Sequence, residues 1–392
     1  MAQFEPVQTR KSLLTGDEAV AHAVRQSSVD LVAAYPITPQ TIIVERIADF
    51  AASGAFTGQF VPVESEHSAM SACIGGALAG ARAFTATASQ GLALMHEMLY
   101  AASGLRLPIS MAIANRALNS PLNIHNDHTD VMGSIDSGWI QLFVENAEEA
   151  YDRVIQSFRI AEAVNLPVAI NLDGFTLTHS TEPVEMLSDE VVRGFVGRPP
   201  KRDSLMDEAP KSFGLMSLPD SYQFFKDDQS RATTGSSVTI SQVEGEYAKL
   251  SGREHGPLKI FRPGSKVMMV MLGSYAGTAR TTARRMKNDG EQVGVISLGW
   301  LRPFPEKQFL DALEGVETLM IMDRSVSYGA PAGPLASDVM SLLYRYGIKR
   351  KVIAVTYGLG GRGFLEEDAM RLFRYAGKSG SSFESFFFYG GE

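Results

Sequence analysis

At 392 residues the chain has room for two or three domains, and 45% hydrophobic with 20% charged residues is the composition of an ordinary globular protein. Its 36 basic and 44 acidic residues leave a net charge of −8 with no basic run, which argues against a nucleic-acid or anionic-membrane surface. No apolar segment is long enough to span a bilayer, and the opening MAQFEPVQTRKSLL lacks the apolar centre of a signal peptide, so a cytoplasmic chain is expected.

Thr15-Gly16-Asp17-Glu18 has the spacing of a capping box and predicts a helix to about Gln26. Val29 to Tyr35 reads as a short apolar strand. It runs into Pro36-Ile37-Thr38-Pro39, where Thr38 is placed to cap a helix with proline in its first turn. The stripe Ile42, Ile43, Ile47, Phe50 continues that helix. Phe60 to Val63 is the next strand and stops at two carboxylates, Glu64 and Glu66.

The helix that follows, Ser68 to Gly80, is built almost wholly of small residues. They let another backbone or a ligand come close. Cys73, the only cysteine, sits among them and reads as a small buried hydrophobe. One cysteine cannot form an internal disulfide, an iron–sulfur cluster or a Cys-rich zinc site, and no metal site is expected from this chain. Ala83 to Thr87 is a further strand, broken by Ser89-Gln90-Gly91 at the start of a helix. The free N–H groups there favour polar or anionic partners.

Leu107 to Ala114 is a buried strand ending at Asn115-Arg116. After a long polar loop come a strand at Ile140 to Val144, an amphipathic helix at Ala147 to Ala163, and a strand at Leu166 to Leu172 that ends in Asp173-Gly174-Phe175. Strands alternating with helices imply an α/β fold with a parallel sheet covered on both faces. In such sheets ligands sit at the carboxyl ends of the strands. Thr38, Glu64, Glu66, Ser89, Gln90, Asn115, Arg116 and Asp173 all fall there. Two bland readings stand beside this one: Glu64 and Glu66 as exposed strand-end acids, and Arg116 as a surface salt bridge.

From about 181 to 263 the periodicity dissolves into Pro, Ser, Gly and charge, which reads as an extended connector with little sheet of its own, free to wrap a partner. A smaller α/β unit follows, with strands at Val267 to Gly273, Gln292 to Ser297, Thr318 to Met322 and Val352 to Thr356. Helices are expected at Gly277 to Lys287, Pro305 to Leu313 and Leu335 to Tyr344. The glycine-rich Tyr357 to Gly363 is neither a phosphate loop nor a dinucleotide fingerprint.

YPITPQT (Tyr35 to Thr41), VESEHSAM (Val63 to Met70), TASQGLALMHE (Thr87 to Glu97), ANRAL (Ala114 to Leu118), NDH (Asn126 to His128), DSGW (Asp136 to Trp139) and DGF (Asp173 to Phe175) stand in this order. LRPFP (Leu301 to Pro305) and YGLGGR (Tyr357 to Arg362) follow them. Together they resemble the alpha subunit of pyruvate:ferredoxin oxidoreductase, a family of thiamine-diphosphate-dependent 2-oxoacid oxidoreductases also called pyruvate synthases. The resemblance implies a pyrimidine-binding thiamine diphosphate fold over residues 1–250, including the connector from about 181. It implies a transketolase C-terminal-like unit over 265–392.

It also implies roles. Glu66 matches the carboxylate that activates the cofactor, with Glu64 as the alternative. Arg116 matches the arginine that binds the substrate carboxylate, and Thr38 and Asn115 lie with the substrate. Ser89, Gln90, Pro36 and Ile37 fall against the cofactor. His67 and His128 read more readily as structural groups than as acids or bases. The Gly-Asp-Gly that anchors Mg²⁺ and the diphosphate is absent, since Leu172 precedes Asp173-Gly174.

The resemblance therefore implies a beta subunit that carries the Mg²⁺-diphosphate site and a [4Fe-4S] cluster. Gamma and ferredoxin-like delta subunits, coenzyme A as co-substrate, and ferredoxin or NAD as final acceptor complete the set. His125 and Gly363 stand where the family often has an aromatic and an acidic residue, which leaves room for an acid bulkier than pyruvate, such as phenylglyoxylate or a branched-chain 2-oxoacid. A non-oxidative transketolase-like enzyme and a non-catalytic scaffold subunit are the rival classes.

Overall fold

The computed structural model of the chain describes residues 9–378 and 385–390, so the first eight residues of the opening stretch lie outside it. The first unit runs β1 (Thr9–Leu14), α1 (Gly16–Gln26), β2 (Leu31–Ala34), α2 (Thr41–Ala52), β3 (Gln59–Pro62), α3 (Glu66–Leu78), β4 (Ala83–Thr87), α4 (Ser89–Leu94), α5 (His96–Gly104), β5 (Ile109–Asn115), α6 (Thr129–Met132), β6 (Ile140–Phe143), α7 (Ala147–Val164) and β7 (Val168–Asp173). Then come β8 (Glu182–Leu187), α8 (Asp189–Val196) and α9 (Pro219–Ser251). The second unit runs β9 (Leu258–Phe261), β10 (Val267–Met271), α10 (Tyr275–Asn288), β11 (Val293–Leu298), β12 (Trp300–Arg302), α11 (Glu306–Asp311), β13 (Thr318–Asp323), α12 (Pro334–Arg345), β14 (Lys351–Thr356), α13 (Glu366–Gly377) and β15 (Phe386–Phe388).

Seven strands form the first sheet, in the order β12-β6-β7-β5-β4-β2-β3. Every pairing in it is parallel except β12 with β6. Strands β4, β5 and β7 are buried along their whole length, as expected where helices cover both faces. The second sheet has the order β15-β14-β13-β10-β11-β9, with β9 antiparallel. One apolar cluster packs α1, α7, α8 and part of α9 on the first sheet. A second is shared by both units and includes Met70 and Leu99 from one side, Val270, Ile296 and Leu335 from the other. A third seats α10 and α13 on the outer face of the second sheet.

The capping box forms as spaced: Glu18 N donates to Thr15 Oγ1 at 3.3 Å and Thr15 N donates to Glu18 Oε2 at 3.0 Å. Thr38 does not cap the next helix. A turn closed by Gln40 N donating to Ile37 O, 2.9 Å, delays α2 to Thr41, and Thr38 stays exposed in that turn.

The connector is also different from its sequence. Its first part pairs as β8 against β1 in antiparallel register, and its last part is the 33-residue helix α9, about 50 Å long. The sequence hides this helix because its interior is rich in Ser, Thr and Gly. Thr233 and Thr234 satisfy their hydroxyls within the helix, on the carbonyls of Gln229 and Ser230. Its C-terminal half is anchored by a few buried residues: Ile240, Val243, Tyr247, and Glu244, which takes Arg153 as ion partner and Trp300 Nε1 at 2.7 Å. Among the described residues no helix is long and apolar enough to cross a membrane.

One buried carboxylate ties the two units. Asp173, at the end of β7, accepts from His128 Nε2 at 2.9 Å, Ser274 N at 2.8 Å, the Ser274 hydroxyl, and Arg324 Nη1 at 3.1 Å. Burial alone would raise its pKa, but Arg324, His128 and Ser274 hold it well below the usual carboxylate range. Its contribution is full above the unfolded carboxyl pKa of about 4 and is lost as the pH falls toward the lower folded value. Asp173→Ala leaves Arg324 buried without its counter-ion. It should cost roughly 3–5 kcal/mol, read as an earlier thermal or urea transition. A variant that melts with the parent would refute this account of how the units are joined.

Candidate active site

The two carboxylates after β3 part company in the structure. Ser65 caps α3, its hydroxyl accepting from Ser68 N at 3.2 Å, and this puts Glu66 in the first helical turn, where the helix dipole suits a carboxylate. Glu66 is 6% exposed and has no hydrogen-bond or ion-pair partner among the described residues. Glu64 is exposed, and the Ser68 hydroxyl that donates to it lowers its pKa. Of the two, Glu66 alone is a buried residue.

Gly91 in α4 makes room for it. A Cβ there would lie 2.5 Å from Thr87 Oγ1, 2.6 Å from Glu66 Oε1 and 2.8 Å from Glu66 Cγ. The small residues of α3 matter too: a Cβ at Gly76 would lie 2.5 Å from Leu31 Cδ2, so α3 rides close on β2. Cys73 is fully buried with its thiol pushed up to about 12, the state of an inert small hydrophobe.

At these strand ends several buried polar atoms lack partners among the described residues: Thr87 Oγ1, Gln40 Oε1 and Gln90 Nε2. Ser89 and Gln90 differ. The Ser89 hydroxyl is taken up by Ala117 O and Gln90 Oε1, which leaves the Gln90 amide nitrogen as the unfilled donor. Pro36 is exposed and Ile37 half-buried, at the rim of the same strand ends. These vacant donors and acceptors beside a glycine cradle fit the polar, ring-shaped end of thiamine diphosphate.

Arg116, 6% exposed, donates from Nη1 to Thr38 O at 2.8 Å and from Nε to Asn123 O at 3.2 Å. Its guanidinium has no carboxylate partner among the described residues, and burial lowers its pKa. Thr38 and Arg116 are thus brought together, through the Thr38 carbonyl rather than its hydroxyl. Asn115 lies deeper, fully buried, with Nδ2 shared between Asp130 Oδ1 and Asn171 Oδ1. Asp173 and His128 are used up by each other and by the second unit.

The glycine loop of the second unit closes over this end. Gly360 N donates to Asp127 Oδ2 at 3.1 Å, Gly361 N to Asn126 O, and Asn123 Nδ2 to Gly360 O at 3.0 Å. Gln40, Thr87, Gly91 and Asp130 also stand at these strand ends, and sequence reasoning assigned none of them a role. Gly91 stood inside a quoted motif, but only the fold shows what it faces.

A family profile described as "Pyruvate flavodoxin/ferredoxin oxidoreductase, thiamine diP-bdg" matches residues 22–245, and "Pyruvate:ferredoxin oxidoreductase core domain II" matches 265–369. The chain is 45% identical to pyruvate synthase subunit PorA of Thermotoga maritima, over 93% of each chain. It belongs to the pyruvate:ferredoxin oxidoreductase family. Within that family it is also 39% identical to ketoisovalerate oxidoreductase subunit VorA of Pyrococcus abyssi, over 94% of this chain and 93% of the relative.

In fold it resembles a solved 2-oxoglutarate:ferredoxin oxidoreductase from Magnetococcus marinus, determined with 2-oxoglutarate, coenzyme A and succinyl-CoA bound, at TM-score 0.70 and 19% identity. That likeness covers 93% of this chain and 65% of the other. A split-gene transketolase, an inactive tetramer, shares the fold at TM-score 0.56 and 16% identity, with 93% and 98% covered.

The Gly91 cradle yields a test. In the assembled oxidoreductase, Gly91→Ala should displace the Glu66 carboxylate and lower kcat ~10- to 100-fold. Gly75→Ala in α3, where nothing lies within 4 Å of the added Cβ, should leave kcat near the parent's. Equal kcat for both variants in steady-state assays would contradict the placement of Glu66.

Proposed function

We propose that this chain is the subunit of a thiamine-diphosphate-dependent 2-oxoacid oxidoreductase that handles the proton and binds the substrate carboxylate. One observation carries this reading. At one sheet end stand Glu66, buried with no hydrogen-bond or ion-pair partner among the described residues, and Arg116, buried with no carboxylate at salt-bridge distance among them. A protein leaves such groups unpaired where a ligand completes them.

Residues 1–250 act as the pyrimidine-binding unit and 265–392 as the transketolase C-terminal-like unit. Glu66 would hold the aminopyrimidine end of the cofactor, with Gln90 donating its free amide nitrogen and Pro36, Ile37 and Ser89 lining the approach. Bound there, thiamine diphosphate supplies the carbon nucleophile for the 2-oxo group. Glu66 would give and take one proton at its carboxylate. Arg116 offers the substrate carboxylate a fork of donors, beside Thr38 and Asn115.

The substrate is pyruvate or a related 2-oxoacid. It leaves as CO2 and, with coenzyme A, as the acyl thioester, while two electrons pass to ferredoxin or NAD. With its single cysteine the chain provides no cluster ligands. The reading assigns the [4Fe-4S] clusters to partner subunits, and the Mg²⁺-diphosphate site to the beta subunit. Gamma and ferredoxin-like delta subunits complete the assembly, in the cytoplasm.

Glu66→Gln keeps the shape but cannot share the proton. In the assembled complex kcat and kcat/KM should fall together by roughly 10²–10⁴, while Glu64→Gln does much less. The reverse ranking would sink the assignment. Arg116→Ala should instead act on substrate binding: loss of a charge-assisted pair costs roughly 2–5 kcal/mol, seen as a raised KM for the 2-oxoacid. An unchanged KM across several 2-oxoacids would exclude this arginine as the carboxylate site.

A further inference from the structure

Asp130 has no role in the reading above, yet the loops of the site meet on its carboxylate. It is 3% exposed, in α6. Oδ2 accepts from Arg116 N at 2.9 Å and from Ser89 N at 3.0 Å. Oδ1 accepts from Val131 N at 2.7 Å and from Asn115 Nδ2 at 3.1 Å. Four donors converge on two oxygens, which is the arrangement of an ionised carboxylate.

Two of those donors stand at decisive places. Arg116 N is the main chain of the substrate-facing arginine. Ser89 opens α4 with φ of 49°, a conformation that an outside anchor helps to hold, and α4 carries Gly91 against Glu66.

We propose that Asp130 is a positioning residue of this active site: by fixing the backbone at Arg116 and Ser89 it aims the guanidinium at the substrate carboxylate and sets α4 beneath Glu66. The proposal rests on the reading that Arg116 binds that carboxylate.

The proton state of Asp130 then matters. Burial pushes its carboxyl up to about 7 and Asp127 adds to this, against the Arg116 and Ser89 amides and the Asn115 side chain. The facing charges are few. Arg116 comes from the end of β5, and Asp127 and His128 from the same loop. Asp127 is held by Thr129 N and Gly360 N, and His128 is turned to Asp173. Helix α4, SQGLAL, brings none. A protonated Asp130 must set an O–H against one of its N–H donors, which loosens the clamp.

The experiment is steady-state kinetics of the assembled complex from about pH 6 to about pH 8, with the parent, Asp130→Asn and Arg116→Ala. In the parent, the 2-oxoacid KM should rise as pH falls through about 7, with kcat moving less. Asp130→Asn carries a donor at every pH. Its KM should be raised ~10- to 100-fold on the alkaline side and should lose the acid dependence, a split that a purely structural residue would not give. An Asp130→Asn enzyme with the parent's KM and pH profile overturns the proposal.

If that variant does not assemble, Asp130→Glu decides: a raised KM with kcat near the parent's supports the proposal, and the parent's KM overturns it. If Arg116→Ala raises KM and Asp130→Asn does not, the positioning role alone falls. If Arg116→Ala also leaves KM unchanged, the carboxylate-binding reading itself has failed.

Discussion

The ion network on Asp173 is the constraint on which the rest of the structure leans. A carboxylate and a guanidinium buried to 1% exposure each are costly to desolvate, and they are tolerated because the pair is direct, at 3.1 Å, and His128 and Ser274 add donors to the same carboxylate. A Cβ at Gly273 would come within 2.7 Å of the Asp173 carboxylate, so the second unit presses its backbone against it. Arg324 reaches on to the carbonyls of Asn126 and Gly358, and its guanidinium lies 4.3 Å from the Tyr275 ring centroid. The polar loop from Asn115 to His128 is therefore held from the far side by the second unit. That loop carries the carbonyl of Asn123, on which Arg116 rests.

The placement of Glu66 at the sheet end depends on a local device. Ser65 starts α3, the helix start fixes Glu66 in its first turn, and the absent side chain of Gly91 gives its carboxylate a place to lie. Shift the cap by two residues and Glu64 would take the buried position. The difference between an exposed acid and a dry one rests on one serine and one glycine, not on the acids themselves.

The two family departures fall at one seam. Gly361, at φ of 81°, packs against His125, where a Cβ would lie 2.3 Å from the His125 Cβ. The His125 ring leans on Phe175 at 5.2 Å, and Phe175 on His179 at 4.7 Å. Gly363, just beyond, is exposed with open space about it. The His125 loop is thus shaped by ring packing and by contact with the second unit.

By itself the sequence determined what short-range physics determines. Runs such as Ala83 to Thr87 and Val267 to Met271 are apolar enough to be central strands and nothing else. Thr15 and Glu18 sit at the spacing a capping box needs, and the polar residues cluster where parallel strands end. The sequence placed Glu66, Arg116 and their neighbours at strand ends, and the structure puts them there. Tertiary structure alone decided the rest, because the partners are far apart in the chain. The sequence of α9 is a poor helix former until Tyr247, Glu244 and Ile240 find α7 and Trp300. Strand β12 leaves the second unit to pair with β6, some 160 residues earlier. Asp130 is one acid in a polar loop until folding brings Ser89 and Arg116 to its two oxygens, and Asp173 one strand-end acid until Arg324 arrives from 151 residues away. Local sequence sets which elements form; only the packed fold sets which charges are dry, which are paired, and which are left for a ligand.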